Sequence, residues 1–375
     1  MKIVSMEPTP SPYSMKINLD EQLPNGKSEN YKQDDDLGKA PKYVQQLFSI
    51  HGVKGLYRVI DFITLERNPR VAWEEILPQV REVLGSEQDT TELFSKAVEN
   101  TEDSFGEIHV FIQMFRTIPL QVKLQEGEKE QRFALPERFM KAGMEAAVAS
   151  EHFLVERKWV EQSPRYGEIE EAGNAIVEEI SATYSEERLD ELVKRALNNE
   201  TLTELPKKKV TLDMLDQPNW RDRYAALAQM DPTEADFPVL NKALDDNNSS
   251  IRRLATAYLG MIEEPETLPY LYKALKDKSV NVRRTAGDCL SDLGFKEAIP
   301  EMIQALSDRS RIVRWRAAMF LYEIGDETAI TVLEKVLDDP EFEVRMQAKM
   351  ALARIQSGQK AEGSIWKQME QATKE

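Results

Sequence analysis

Few residues in this chain have the type and spacing that catalysis needs. The three histidines, His51, His109 and His152, are too few and too scattered for a metal cluster, and the stretch from 220 to 355 has none. The single cysteine, Cys289, has no cysteine partner for a disulfide and no neighbouring histidine to activate it. Asp34-Asp35-Asp36 lacks the spaced ligands and the glycine of a calcium loop and reads as a solvated linker. No phosphate-binding glycine loop and no Gly-x-Ser-x-Gly elbow is present. Trp159, Arg165 and Tyr166, with Glu156 and Glu161, are placed to line a pocket if the middle of the chain folds over them. The charged residues with real periodicity are Arg252, Arg283, Arg314 and Arg345, each preceded in step by Asp246, Asp277, Asp308 and Asp339. A stripe of arginines could bind phosphate. An Asp and an Arg fixed in every unit more simply serve the unit, as turn caps and inter-repeat ion pairs, so these eight residues are read as a structural ladder. Positions that vary between units are better ligand candidates. These are Arg253, Arg284 and Trp315 in one register, and Tyr258, Cys289 and Phe320 in another, together with Asp288 and Arg316. A Trp among arginines on a helical surface reads equally as an interface anchor or as a partly buried filler; as an anchor it makes the expected partner a protein.

The periodicity identifies the elements that carry these residues. Ile251-Arg-Arg-Leu-Ala, Val282-Arg-Arg-Thr-Ala, Val313-Arg-Trp-Arg-Ala and Val344-Arg-Met-Gln-Ala begin 31 residues apart, and Trp220-Arg-Asp-Arg-Tyr-Ala is a worn copy one period earlier. Self-similarity at this period is the mark of a solenoid. Apolar residues at helical spacing, as in Ala298–Leu306 and Val313–Gly325, make each unit a helix pair. Pro238, Pro269 and Pro300 open the first helices, and Gly260, Gly294 and Gly325 are expected as left-handed C-caps of the second. Such pairs stack through Leu, Val and Ala into one core. The pattern Leu-x-Asp-x-Ser-x-x-Val-Arg-x-x-Ala resembles HEAT repeats, which implies an all-α solenoid acting as a binding scaffold.

Upstream, Lys2–Met6 and Tyr13–Leu19 alternate as strands, with rigid turns expected at Pro8–Pro12 and Asn25-Gly26. A helix from Ala40 to Phe48 follows, then strands Gly55–Val59 and Asp61–Arg67 and a helix from Trp73. Thr9-Pro-Ser-Pro12, Ala40-Pro41, Leu47–Val53, Asp61-Phe-Ile-Thr64 and Trp73-Glu-Glu75 resemble the N-terminal domain of Nfu-type iron–sulfur scaffold proteins. That family holds its cluster on a Cys-x-x-Cys pair, which this chain lacks, so the resemblance implies recognition of iron–sulfur assembly proteins without a cluster on its own cysteines. From Gln88 to Leu205 the pattern reads as a second α+β unit. Strands are expected at Glu107–Phe115, Leu120–Leu124 and Phe153–Glu161, broken at Ile118-Pro119, with helices at Leu135–Ala147, Ile169–Tyr184 and Glu186–Leu197. This unit could share a sheet with the first. The expected organisation is thus 1–86, 87–205, an array over 206–358, and a tail or capping helix over 359–375: α+β parts followed by an all-α solenoid.

Charge narrows the partners. The chain carries 49 Lys and Arg against 66 Asp and Glu, divided 24 to 38 before residue 206 and 25 to 28 after it. An acidic front argues against nucleic acid, which demands several phosphate contacts from basic side chains; Lys207-Lys208-Lys209 reads as a solvated run. No stretch of 18 apolar residues and no secretory leader is visible, so no membrane role and a cytoplasmic setting are expected. The arrangement as a whole resembles the conserved virulence factor C family, which implies a factor influencing virulence-gene expression. The reading is a non-enzymatic scaffold or adaptor without cofactor or metal; the alternative is an accessory factor in iron–sulfur cluster assembly.

Overall fold

The structure is a computed structural model; it describes all residues except 10, 12, 25, 26, 86–106, 128, 151, 199, 201–206 and 359–375. The expected Asn25-Gly26 turn, part of the Pro8–Pro12 turn and the expected terminal helix lie outside the described residues. In chain order the head contains β1 (Ile3–Pro8), β2 (Ser14–Leu19), β3 (Ser28–Lys32), α1 (Lys42–Phe48), β4 (Val53–Val59), β5 (Phe62–Arg67) and α2 (Trp73–Leu84). The middle contains β6 (Glu107–Phe115), β7 (Ile118–Glu126), β8 (Lys129–Ala134), α3 (Glu137–Ala147), α4 (Phe153–Glu156), β9 (Arg157–Tyr166), α5 (Ile169–Thr183) and α6 (Glu186–Leu197). The array runs α7 (Trp220–Leu227), α8 (Phe237–Leu244), α9 (Ser249–Met261), α10 (Leu268–Ala274), α11 (Val280–Leu293), α12 (Ile299–Ala305), α13 (Arg311–Ile324), α14 (Ile330–Val336) and α15 (Phe342–Gln356). The fold class is therefore α+β followed by an all-α repeat region.

Contacts divide the chain into two compact units, and the division does not follow the sequence boundaries. Residues 1–105 group with 330–359, and 106–329 form the other unit. The first unit is built on an antiparallel sheet of order β1-β2-β5-β4-β3. Alternation sends Met15, Ile17 and Leu19 of β2 and Ile63 and Leu65 of β5 to one face, where Val44 and Leu47 of α1 and Trp73, Ile76, Leu77 and Val80 of α2 cover them. Phe342 of α15 completes this core, and Met346 packs beside it. The β4–β5 hairpin turns on two residues, which needs positive φ; Ile60 supplies it at 48°.

The second unit has its own antiparallel sheet, of order β8-β7-β6-β9, so the middle does not share a sheet with the head. The physical reason is that each sheet closes on its own helices. Ile108, Val110, Val122 and Leu124 pack beneath Phe139 of α3, Ile169, Ile176 and Ile180 of α5, and Leu189, Leu192 and Val193 of α6. Two further expectations are corrected here. Ile118-Pro119 opens β7 instead of breaking it, because the hairpin turns at Arg116, whose φ is 53°. Phe153–Glu156 is a short helix, and the strand starts only at Arg157. Two strands, β3 and β8, were not read from the sequence, since their alternation is largely polar.

In the array, Pro238, Pro269 and Pro300 sit in the first turns of α8, α10 and α12. Of the three expected glycine caps only Gly294 is left-handed, at φ 65°. Gly260 lies inside α9, where a Cβ would come within 2.3 Å of Cys289 Sγ; it is there for helix contact. Gly325 has φ −62° and continues as extended chain.

Candidate functional site

Within the second unit the repeated Asp and Arg link successive helix pairs. Arg252 donates through Nε and Nη2 to Asp277 at 2.7 and 3.0 Å, and Arg283 does the same to Asp308 at 2.7 and 2.9 Å. Each arginine also turns Nη1 back onto carbonyls of its own turn, Asp246 and Asn247 for Arg252, Asp277 and Lys278 for Arg283. The aspartates meanwhile accept the backbone N–H two residues on, as Asp277 does from Ser279 and Asp308 from Ser310, both at 2.7 Å. Arg314 and Arg345 repeat the carbonyl contact to Asp308 and Asp339. In the first copy the residue in this position is Arg223. It pairs with Asp246 and reaches back to the carbonyls of Gln217 and Pro218. That corrects the register of the worn copy by two residues: the spacing from Arg223 to Arg252 is 29, not 31.

With the register corrected, the residue after each ladder arginine forms one column: Tyr224, Arg253, Arg284, Trp315. This column meets the sheet domain of the same unit. Glu179 of α5 is 6% exposed and accepts from Arg165 Nη2 at 2.8 Å and from the Tyr224 hydroxyl at 3.3 Å, while Arg253 Nη2 lies 3.5 Å away. Burial alone would raise the Glu179 carboxyl; Arg253 and Arg165 outweigh it and hold it below the usual range. One repeat on, Arg284 stacks between the rings of Tyr166 and Trp315 at 5.2 and 5.6 Å. Asn281 clasps the Tyr166 backbone both ways, accepting from its N–H and donating to its carbonyl at 2.9 Å. Asp288 pairs with Arg284 and with Arg316, whose Nε lies 2.7 Å away. Burial opposes the charge on Arg316, and Asp288 overrides it, raising the guanidinium pKa.

The seven partner candidates are therefore placed as follows. Arg284, Trp315, Arg316, Tyr258 and Phe320 are buried within the chain, Asp288 bridges two arginines, and Arg253 alone lines a cavity. That cavity is about 400 Å³ and opens between β9–α5 and the starts of α9 and α11. Arg165, Tyr166, Glu179, Ser249, Ser279 and Asn281 are among its lining residues. The pocket expected from five middle-segment residues does not form as such. Arg165 and Tyr166 end β9 at the cavity. Trp159 instead lies on a sheet face under Lys123, Glu161 pairs with His109, and Glu156 binds Ser150. The signal missed in the sequence was Ser279-Val-Asn281 at the start of α11.

In the first unit, α15 carries the last ladder arginine, and its outer nitrogen has gone to the head. Arg345 Nη2 donates to Glu74 of α2 at 3.2 Å, and Arg67 of β5 donates to Glu343 at 2.7 Å. Arg67 is 4% exposed and also satisfies the carbonyls of Pro69 and Val71. Burial first, then the neighbouring Glu343, pushes the Glu74 carboxyl up to about 7. Asp35 and Asp36 of the acidic triplet accept from Lys32 N–H and Gly38 N–H, so both shape a turn. Among the described residues no group of three or more His, Cys, Asp or Glu is placed to hold a metal, and no helix is long and apolar enough to cross a membrane.

Two α+β sheet domains and a series of helix pairs define an α+β protein with a helical-repeat region, and three families match it in that order. Residues 4–90 match the scaffold protein Nfu/NifU N-terminal family, 113–193 a virulence factor family, and 209–286 and 268–353 HEAT repeats. The chain is 55% identical over 72% of its length, and 71% of the relative's, to "Uncharacterized protein YpgR" of Bacillus subtilis. With the same coverage it is 41% identical to "Conserved virulence factor C" of Staphylococcus saprophyticus. The chain belongs to the conserved virulence factor C family. Among solved structures, protein SAV1430 of Staphylococcus aureus is 35% identical over 22% of this chain and 98% of that one, with a TM-score of 0.21.

Proposed function

We propose that this protein is a non-enzymatic adaptor that binds a protein partner and serves a virulence-associated regulatory role in the cytoplasm. The observation that carries this reading is the column on the second helices. Arg253 lies by Glu179 of α5, and Arg284 sits over Tyr166 of β9 with Trp315 at its other side, ion-pair and cation–π chemistry of a protein interface used within one chain. The partner then meets the composite surface of sheet domain and array. The name shared by the staphylococcal relatives and the HEAT match support the regulatory part. Affinity capture of the full chain and of Trp315→Ala from the cells that make it tests the reading. A stoichiometric partner held by the full chain and lost from the variant supports it. Absence of any such partner, with turnover of a substrate by the purified chain, refutes it.

A second reading is favoured by the Nfu/NifU match of the head: accessory contact with iron–sulfur assembly proteins. Cys289 is buried in the array, so that role would be one of recognition, without a cluster held on this chain's thiolate. Unchanged activity of iron–sulfur enzymes after deletion of the gene would end it.

A further inference from the structure

We propose that the cavity between β9–α5 and the starts of α9 and α11 binds the phosphate group of a small phosphorylated molecule. The inference goes beyond the adaptor reading and does not rest on it. Its floor holds two guanidinium groups, Arg165 and Arg253, against one buried carboxylate, Glu179. Glu179 is already engaged by Arg165, Tyr224 and Arg253, so the one buried carboxylate of the floor is spent on the chain's own donors. Arg253 Nε is buried and has no hydrogen-bond partner among the described residues. Its only ion pair, to Glu179, is long at 3.5 Å. A buried donor left unmade is costly unless something fills it.

Two further donor sets face the same space. The 14-residue α11 starts on the cavity, and its N-cap Ser279 makes no side-chain capping bond, so that its hydroxyl and the first-turn N–H groups have no side-chain cap. Ser249, the first residue of the 13-residue α9, lines the opposite side. A guanidinium, serine hydroxyls and a helix start converging on one space form a phosphate cradle. Gly167 at the mouth has φ +111°, and a Cβ there would meet open space. The remaining walls say what else the molecule carries. Ala172 and Ala175 offer a small apolar wall, while Glu168 and Glu171 supply acceptors at the rim. Those two carboxylates disfavour a bare polyanion and accept from hydroxyl or amino groups attached to the phosphate. A volume of about 400 Å³ suits such a small molecule.

The test is calorimetric titration of the full chain with inorganic phosphate and with glycerol 3-phosphate, at fixed ionic strength set by chloride. One-to-one binding is expected, tighter for glycerol 3-phosphate because its hydroxyls reach the rim. Arg253→Gln should abolish it. Ser279→Ala, whose hydroxyl caps nothing, should leave the fold intact and weaken binding about tenfold, the worth of one hydrogen bond to a charged group. Arg132→Ala, on β8 and outside the cavity, should change nothing. No binding of either probe by the wild type would overturn the proposal. So would binding that Ser279→Ala leaves unchanged, which decides the matter even if Arg253→Gln fails to fold.

Discussion

Arg283→Ala removes four hydrogen bonds at once: two to the Asp308 carboxylate at 2.7 and 2.9 Å, and two to the carbonyls of Asp277 and Lys278 at 2.9 and 3.3 Å. The arginine is 4% exposed, and the Asp308 side chain 12%. After the change Asp308 keeps the Ser310 N–H at 2.7 Å but loses its counter-charge. Removing one partner of such a buried pair costs about 3–5 kcal/mol, because the other charge stays behind. A chain of two units will not unfold in one step, so a global midpoint is the wrong readout. Amide hydrogen exchange resolved to peptides of α11, α12 and α13 reads the local opening free energy directly. Protection there should fall by about 3–5 kcal/mol, with little change in the head. Asp308→Ala should do nearly the same, and the double variant should add little, as expected of residues sharing one interaction. The comparison is Lys276→Ala, which breaks the exposed Lys276–Glu301 pair and should cost under about 1 kcal/mol. If Arg283→Ala costs no more than Lys276→Ala, the arginine is not a structural rung.

Arg284→Ala should release β9 from the array, since it removes the stack between Tyr166 and Trp315 and the pair with Asp288; faster exchange in Arg157–Tyr166 than in the head would show it. The Glu74 carboxyl, raised from 4.5 to about 7, binds a proton in the folded chain that the unfolded chain has lost. Its contribution to stability is therefore full below pH 4.5 and declines as pH rises through 7. Glu74→Gln should flatten that decline in denaturation of the first unit between pH 5 and 8, and an unaltered slope would refute it. Phe342→Ala empties a site in the head core and should cost about 3–5 kcal/mol in the protection of α2 and β5. Gly260→Ala drives a methyl into Cys289 and should lower the array's stability by about 1–3 kcal/mol, seen as loss of protection in α9 and α11.

The repeat was legible because its signal is local and redundant: the same Asp, Arg and apolar positions recur at a constant interval. Strands such as β2 and β6 were legible for a similar reason, since their alternation separates a buried from an exposed face. What the sequence hid is where the surfaces meet. Arg284 and Trp315 read as either an interface anchor or buried filler, because charge and aromaticity mark an interface without saying whether the other side is another chain or Tyr166 of this one. The cavity was half legible: Arg165 and Tyr166 were singled out, while Arg253 and Ser279 lie about a hundred residues on and are joined to them only by the fold. Phe342 and Glu343 were hidden too, because in sequence they belong to a repeat and in space they complete the head core and its ion pairs.

Within the second unit the ladder has a direction, since the forks of Arg223, Arg252 and Arg283 each reach forward to the next carboxylate. Stacked modules of that kind, left open, are monomers for a polymer: the forward hook of one chain could take the first acceptor of another and never close. Here both couplings are missing. In the corrected register the position of the first acceptor is held by Gln217, an amide whose backbone carbonyl already receives Arg223. At the far end Arg345, the last hook, is received by Glu74. Within the first unit the head thus supplies the acceptor that the array's last arginine would otherwise lack, and removing the Glu74 carboxylate would leave that guanidinium nitrogen without it.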